Sequence, residues 1–466
     1  MEIQFAGGAY ETFSKNLNSQ ECVNFFTHVD QEGGTSQLSL RGTPGLKVWC
    51  DTGEYAEVRG LQRMGSHAYA VVGNKVFRIN SSKTAKECTG TLNTSSGKVS
   101  MDANTTQVMI VDGSAGYIVT SASVSKITDG GFFSNPTTVT YQDGYFLVTF
   151  EDSGRVQVSD LNDGSSWDST MYFNAEGYPD DTIAVFSDHR DAIMFGENTL
   201  EYWMTTSSTV PFDRKPGYSQ SVGIGARYSP CQVDNTVFFL TNKFQIARLE
   251  GHNPVGVSTR SIDYQIAQDS DRANAIGMEA GIEGNSFYIL TTKNNTWVYN
   301  VASKFWHKLA SYPEPFAFRW RGNCSEYFDK KTIVGDYENG ILYELDFETF
   351  TENSNTIKRD RVPSAIKQDG KMIFHHCLEI FFEPGVGLDG GVQGSDPMAC
   401  LSYSDDGGYT WGNEIWRSIG KIGKYQWRAA WHRLGASRNR SYKLTVSDPV
   451  KWVVTGANLE AEIGTS

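Results

Sequence analysis

The sequence predicts an all-β protein: a β-propeller of about six to seven blades and a β-sandwich-like platform domain. Three observations predict this fold. Paired apolar runs joined by polar turns recur seven times between residues 69 and 343. No long stretch shows the 3.6-residue periodicity of an amphipathic helix. After about residue 350 the repeat ends and the predicted strands become longer, which indicates a second domain.

Residues 1–50 form an N-terminal arm that shares little with the repeat. Val23–Phe26 reads as a short strand, and Gly42–Leu46 reads as a turn in which Pro precedes Gly. Because the arm lies outside the repeat, we assign it to the platform domain.

Residues 51–349 contain the repeat and are assigned to the propeller. The runs that begin the seven hairpins are spaced roughly 37 to 50 residues apart, which is typical of propeller blades. The predicted hairpins span residues 69–79, 108–119, 145–158, 193–203, 237–246, 287–299 and 332–343. Their continuous apolar runs fit buried blade strands, and weaker strands would fill the gaps. A pair of β-sandwiches is the alternative architecture.

Residues 350–466 form the C-terminal part of the platform, a predicted β-sandwich. Lys371–Phe382 reads as one long strand, and Ala399–Tyr403 as another. In Gln426–Leu434, large and polar residues alternate over part of the run, which favours a further strand.

The segment from Ser404 to Trp411 spells Ser-x-Asp-x-Gly-x-Thr-Trp and is similar to the Asp box, a turn motif of sialidase-like propellers. An Asp in a tight turn accepts backbone hydrogen bonds, Gly408 can adopt a positive φ, and Thr410 and Trp411 would begin the return strand. We therefore predict a structural turn motif, whose residues are Ser404, Asp406, Gly408, Thr410 and Trp411.

The search for chemistry predicts no catalytic, cofactor-binding or metal-binding residues. His375 and His376 would point to opposite faces of a strand, and the glycines of residues 385–391 lack a phosphate-binding pattern. Five arginines lie within two dozen residues (Arg417, Arg428, Arg433, Arg438 and Arg440), whereas a sialidase spreads its arginines over several blades. A glycan-binding or sialidase-like propeller acting on the host surface is kept as the alternative function.

Charge and cysteine content restrict the partners. The net charge of −13 argues against a dedicated nucleic-acid or anionic-membrane binder. Residues 401–466 carry nine Lys/Arg against six Asp/Glu, which indicates either a local fluctuation or an interface to an acidic partner. Seven scattered cysteines without a CxxC favour reduced thiols, and no signal peptide or membrane span is expected.

A long series of motifs resembles the tail nozzle proteins of short-tailed bacteriophages, also called tail hub or packaged-DNA stabilisation proteins. The motifs are Gly42–Leu46, Asp160–Trp167, Phe173–Asp180, Glu201–Trp203, Gly251–Pro254, Ser404–Trp411, Gly420–Tyr425, Arg433–Gly435 and Ser447–Val450. Together they extend over roughly residues 20–460.

This resemblance implies a mechanical role in the virion. Six copies would form a ring beneath the portal and the adaptor (head-to-tail connector) protein, and would bind a tail fibre, tailspike or needle protein. Double-stranded DNA would pass through the lumen without sequence recognition. The family contributes no catalytic residues and no cofactor, so the resemblance implies a structural protein that folds in the host cytoplasm and works in the phage tail.

Overall fold

The computed structural model describes residues 1–12, 14, 18–30, 37–175, 180–312 and 318–464. Part of the motif Phe173–Asp180, namely residues 176–179, lies outside the described residues. Five strands precede the first blade: β1 (Tyr10–Glu11), β2 (Ser19–Val23), β3 (Phe25–Val29), β4 (Leu38–Gly42) and β5 (Gly45–Asp51).

Five four-stranded blades follow in chain order. Blade one has β6 (Val58–Met64), β7 (His67–Val72), β8 (Lys75–Asn80) and β9 (Ala85–Glu87); blade two has β10 (Ser100–Ala103), β11 (Val108–Val111), β12 (Gly116–Thr120) and β13 (Ser123–Lys126). Blade three has β14 (Pro136–Gln142), β15 (Tyr145–Phe150), β16 (Arg155–Asp160) and β17 (Asp163–Asn174); blade four has β18 (Thr182–Asp188), β19 (Asp191–Gly196), β20 (Leu200–Thr205) and β21 (Phe212–Arg214). Blade five has β22 (Cys231–Val233), β23 (Thr236–Leu240), β24 (Ile246–Glu250) and β25 (Asn253–Gly256).

Blade six follows a short helical segment, α1 (Arg260–Gln268) and a 3-10 turn (Arg272–Asn274). The blade has β26 (Ile276–Ile282), β27 (Asn285–Thr291), β28 (Thr296–Asn300) and β29 (Trp306–Ser311), with β30 (Phe318–Arg319) paired to β29. Blade seven has β31 (Gly322–Phe328), β32 (Lys331–Asp336) and β33 (Ile341–Asp346), and its fourth strand is β5 from the N-terminal arm. β34 (Thr351–Glu352) and β35 (Asn355–Thr356) extend its edge.

The seven blades close into a ring because each pair of successive blades shares an apolar core. The core between blades one and two, for example, packs Val71 and Tyr69 against Ile110. The ring closes between blades seven and one, where Ile333 and Leu342 pack with Val58 and Ala70. Among the described residues, this gives a seven-bladed propeller, and the predicted all-β fold class is confirmed.

The predicted hairpins occupy the two middle strands of each blade, not its innermost edge. These strands are buried on both faces by the neighbouring blades, which explains their continuous apolar runs. A weaker strand lies on either side of each pair, one toward the propeller axis and one at the periphery. The axial strand of blade two, β10, is half-buried throughout, so its sequence lacks an apolar run.

The platform is a two-sheet sandwich that continues from blade six. Its remaining strands are β36 (Arg359–Val362), β37 (Ile366–Lys367), β38 (Ile373–Phe382), β39 (Met398–Ser404), β40 (Ile415–Ser418), β41 (Ala429–Ser437), β42 (Asn439–Val446) and β43 (Val453–Ile463). One sheet runs β3-β4-β43-β38-β41. The other runs β29-β2-β36-β42-β39-β40, so blade six and the platform share a continuous sheet. Trp431, Trp452 and Phe25 lie in the core between the sheets.

Three details of the sequence interpretation differ from the structure. The N-terminal arm is divided, since β2, β3 and β4 lie in the sandwich whereas β5 completes blade seven. The segment 23–26 is not one strand, because Asn24 has φ of 55° and separates β2 from β3. Residues 426–428 lie in an exposed loop, and the predicted strand 426–434 begins only at Ala429.

Candidate functional site

The Asp box at the end of β39 is a turn held together by one carboxylate. Asp406 Oδ1 accepts hydrogen bonds from Ser404 Oγ at 2.6 Å and from the Tyr409 N–H at 2.9 Å. The N–H and the hydroxyl of Thr410 donate to Asp406 Oδ2 at 3.0 and 2.5 Å. The Ser404 and Thr410 hydroxyls and the turn N–H groups hold the pKa of Asp406 well below its usual range. A carboxylate stabilised in its charged form is poorly suited to act as a general acid or base.

Gly408 allows this turn to pack against the N-terminal arm. Its φ is 93°, and a Cβ at this position would lie 3.3 Å from the Cβ of Ser19 on β2. Trp411 does not begin a strand, contrary to the expectation, because the return strand β40 starts only at Ile415. Instead, the ammonium group of Lys443 lies 5.7 Å from the centre of the Trp411 ring. The turn therefore lies against β2 and β42 on the platform.

Three of the arginines near the Asp box, Arg428, Arg438 and Arg440, bind separate partners. Arg440 is buried and donates two hydrogen bonds to Asp405, at 2.6 and 2.8 Å, while its guanidinium lies 4.1 Å from the centre of the Tyr403 ring. Arg428 pairs with Glu379, and Arg438 donates to the carbonyl oxygen of Gly370. These contacts connect strands and loops of the sandwich.

Asn24 joins the propeller to the platform. Its side chain donates to the Ala310 carbonyl at 2.8 Å and accepts from the Ala310 N–H at 3.0 Å. The same amide donates to the carbonyl oxygen of Lys358 at 2.8 Å. Ala310 belongs to blade six, and Lys358 immediately precedes the platform strand β36. One buried amide thus connects both domains to the turn between β2 and β3.

Blade seven is closed by the motif Gly42–Leu46 and the strand that follows it. Leu46 on β5 pairs with Leu345 on β33, nearly three hundred residues later in the chain. A Cβ at Gly45 would lie only 2.2 Å from the carbonyl oxygen of Thr349, so this close approach requires glycine. The motif is thus the point at which the chain closes its ring.

Buried polar groups support the closure. Asp336 accepts hydrogen bonds from Arg321 and from the Tyr343 hydroxyl, each at 2.9 Å. Ser311 donates to Glu352 at 2.7 Å, and burial raises the pKa of Glu352 to about 7. The sequence gives no local sign of this network, since its members come from blade six, blade seven and the edge strand β34.

The propeller axis contains two adjoining cavities of about 1010 and 470 Å³. Lys98, Glu279 and Glu326 line the larger one, and Asp102 lines the smaller. Burial raises the pKa of Glu326 to about 7 and that of Asp102 to about 6. Beside these carboxyl groups, the basic side chains of Lys98, Arg227, Lys330 and Lys331 line the two cavities.

The axial space is lined by side chains from the innermost strands of successive blades. Leu61 on β6, Met101 on β10 and Thr140 on β14 all line the smaller cavity. Side chains of at least three blades therefore project toward the propeller axis.

Two further observations concern metals and membranes. Within the described ranges, no group of three or more His, Cys, Asp or Glu residues is arranged to hold a metal ion. His375 is buried between Ser437 and Tyr442, whereas His376 is exposed on the other face of β38. No helix in the described part of the chain is long and apolar enough to span a membrane.

Comparison with known proteins gives matches along nearly the whole chain. The family model described as bacteriophage P22 Gp10, beta-propeller, matches residues 1–350. The family model described as bacteriophage P22 Gp10, beta-sandwich, matches residues 359–462. No curated protein sequence matches this chain significantly.

Solved structures resemble the chain only distantly. Virginiamycin B lyase from Staphylococcus aureus is 13% identical with a TM-score of 0.43, covering 65% of this chain and 98% of the lyase. The N-terminal domain of Nup159 is 9% identical with a TM-score of 0.41, covering 68% of this chain and 98% of that domain. The designed protein Ika8 is 12% identical with a TM-score of 0.39, covering 70% and 100%.

Proposed function

Because this chain belongs to the bacteriophage P22 Gp10 family of phage tail nozzle proteins, we propose that it works as a homo-hexameric ring in the tail of a short-tailed phage. The ring lies below the portal and the adaptor protein, extends the DNA channel, retains packaged DNA and takes part in genome ejection. The observation that carries the proposal is the match of both family models, which together cover the propeller and the sandwich.

We propose that DNA passes between subunits and not along the axis of one propeller. Side chains from the innermost strands of successive blades line the axial space of each subunit. The lumen is then bounded by the outer surfaces of several copies. A net charge of −13 suits such a wall, because a cationic wall would bind phosphates and release their counterions. Double-stranded DNA passes without sequence recognition.

The proposed role is structural and not enzymatic. The Asp406 carboxylate is occupied by the hydroxyls and N–H groups of its own turn, and the neighbouring arginines bind separate partners. We propose that Ser404, Asp406, Gly408, Thr410 and Trp411 stabilise the platform next to β2. The alternative, a glycan-binding or hydrolytic propeller, would require an arrangement that these contacts do not favour.

The domains have separate parts in this proposal. We propose that residues 51–349 form the propeller, with β5 supplied by the arm, and that residues 350–466 form the platform with the rest of residues 1–50. The propeller offers a broad outer surface for a tail fibre, tailspike or needle protein, and the platform connects to the ring above. The protein folds in the host cytoplasm and functions in the virion.

Electron microscopy of the purified full-length chain, alone and with the adaptor protein of the same phage, tests this function. We expect six-fold rings with a lumen wide enough for a duplex, bound to the adaptor at one end. Particles that lack the protein should package DNA and then lose it. A chain that stays monomeric with its adaptor, or that hydrolyses glycosides in a manner abolished by changing one carboxylate, would overturn the proposal.

A further inference from the structure

A projecting loop between β40 and β41 differs from the rest of the surface. Lys421, Ile422, Lys424, Tyr425 and Trp427 are all exposed, Tyr425 by 69% and Trp427 by 52%. We call these five residues the basic aromatic loop. Residues 415–428 contain four Lys/Arg and no Asp/Glu, although the whole chain is acidic. Exposed Trp and Tyr side chains of this kind are typical of the residues that dominate binding energy at protein interfaces.

The loop is held in a defined conformation. The Trp427 indole N–H donates to the Ser418 carbonyl oxygen at 2.9 Å, and the Lys424 N–H donates to the Lys421 carbonyl oxygen at 3.0 Å. The ring of Tyr425 packs on Gly385, where a Cβ would come within 2.6 Å of it. Because these contacts fix the loop before binding, docking would cost little additional conformational entropy.

Blades three and four account for most of the net negative charge. Residues 136–214 contain 14 Asp/Glu and three Lys/Arg, a net of −11 within a chain whose total is −13. At one end of blade three, two exposed carboxylates flank an exposed apolar side chain. We call this group, consisting of Asp143, Asp160 and Leu161, the acidic patch.

Contacts between neighbouring turns hold the acidic patch together. Leu161 packs on Gly144, directly after Asp143, and the Thr205 hydroxyl of blade four donates to Asp143 at 2.8 Å. Leu161 is 61% exposed. The patch therefore offers apolar and negative groups that complement the basic aromatic loop.

The two surfaces lie far apart on the molecule. β40 is the last strand of its sheet and the fifth beyond β29 of blade six, about 24 Å away at the usual strand spacing. In a ring of seven blades, blade three is three steps from blade six, which is the largest separation available. The loop is therefore remote from the acidic patch of its own chain.

We propose that the basic aromatic loop of one copy docks on the acidic patch of the next copy. The contact joins different surfaces of two identical chains, and its repetition in one direction produces a closed ring when the rotation between copies closes. Lysines of the loop meet carboxylates of the patch, and the exposed rings cover Leu161. This inference rests on the proposed ring, to which it adds the contact that builds it.

A charge exchange tests the contact in the full-length protein. The first variant carries Lys421→Glu with Lys424→Glu, and the second carries Asp143→Asn with Asp160→Lys, since Asn tolerates the positive φ of position 143. Each variant alone should shift from rings to monomers in sedimentation velocity, because loop and patch then carry the same charge. An equimolar mixture should form rings again, with the two variants alternating. The control, Lys86→Glu with Lys243→Glu, changes the net charge equally at exposed sites in blades one and five and should form rings.

The outcomes separate this inference from the proposed function. If the wild-type chain and the loop variant both form rings, the docking contact is wrong and the ring stands. If the loop variant forms rings but no longer binds the adaptor, the loop belongs to that interface and the inference is overturned. If the wild-type chain forms no ring, even with its adaptor, both proposals fail. Unchanged thermal unfolding of both variants shows that the exchanged residues act on assembly and not on folding.

Discussion

The side-chain amide of Asn24 and the backbone of Ala310 exchange two hydrogen bonds, at 2.8 and 3.0 Å, in the manner of paired strands. Asn24 is buried and has a φ of 55°, a conformation that Asn adopts more readily than most residues. The amide completes the boundary between blade six and the platform, where β2 and β29 otherwise pair at a single position.

We therefore expect Asn24→Ala to lower the free energy of unfolding by about 1–3 kcal/mol, because it leaves buried backbone groups without partners. Asn24→Gly is the matched control, since glycine adopts the same φ without strain but has no amide. In chemical denaturation, both variants should have a lower free energy of unfolding than the wild type, and the decrease should be larger for Asn24→Ala. A glycine variant as stable as the wild type would show that the hydrogen bonds contribute nothing.

We expect the Asp box to stabilise the folded protein and to take part in no enzymatic activity. Asp406→Ala removes the acceptor that joins Ser404, Tyr409 and Thr410, so we expect a melting temperature lower by a few degrees. Glu460→Ala, which removes an exposed acid from β43, should leave the melting temperature nearly unchanged. Equal melting temperatures for Asp406→Ala and the wild type would rule out the structural role.

The contribution of this turn to folding stability should decrease as the pH falls. The pKa of Asp406 lies below its unfolded value of about 3.9, so its contribution is complete above that pH and is lost as the pH falls through the folded pKa. The difference in stability between the wild type and Asp406→Ala should shrink below about pH 4. Unfolding curves recorded between pH 2 and 7 measure it, and a difference that grows on acidification would contradict the assignment.

Much of the propeller could be predicted because its strongest signals are local. Apolar runs separated by a polar turn identify the two middle strands of a blade, whose faces are covered by neighbouring blades. Local signals also mislead, as at Phe244, which looks like the start of a strand but has a φ of 61°, so that β24 begins at Ile246.

The rest depends on partners far apart in sequence. Nothing near residue 46 indicates that β5 pairs with β33, and nothing near residue 24 indicates a contact with Ala310. The candidate turn motif was recognisable because all its hydrogen bonds lie within seven residues. The junction residue Asn24 carried one signal, an Asn between two β-forming runs, which is typical of a residue with positive φ.

Closure of blade seven should depend on glycine at position 45. In Gly45→Ala, the added Cβ would lie 2.2 Å from the Thr349 carbonyl oxygen, so backbone must move. We expect a loss of about 1–3 kcal/mol or more in the free energy of unfolding, as for other overpacked sites. Gly281→Ala is the matched control on β26, because only Glu279 lies within 4 Å of the added carbon. If both variants lose the same stability, the close approach is not what requires glycine.

Glu352 should make the propeller less stable as the pH rises. Burial raises its folded pKa to about 7, above the unfolded value of about 4.3, so the folded chain binds its proton more tightly. Its contribution to stability is therefore complete below about pH 4.3 and decreases until about pH 7. Glu352→Gln keeps an acceptor for Ser311 and removes the titrating carboxyl group. Between pH 4.5 and 8, its free energy of unfolding should therefore exceed that of the wild type by an amount on the order of 1–3 kcal/mol.

Denaturant unfolding at several pH values measures the effect, with Glu338→Gln as the control on an exposed partner of Arg321.

Because the titration of Glu352 depends on its burial beside β5, the same experiment on Gly45→Ala reports on the closure of blade seven. If opening of blade seven exposes Glu352, the free energy of unfolding of Gly45→Ala should depend less on pH than that of the wild type. The free energy of unfolding could instead change with pH by the same slope in the wild type and in Glu352→Gln. That result would show that Glu352 remains charged in the folded protein, and that nearby arginines rather than a bound proton compensate its burial.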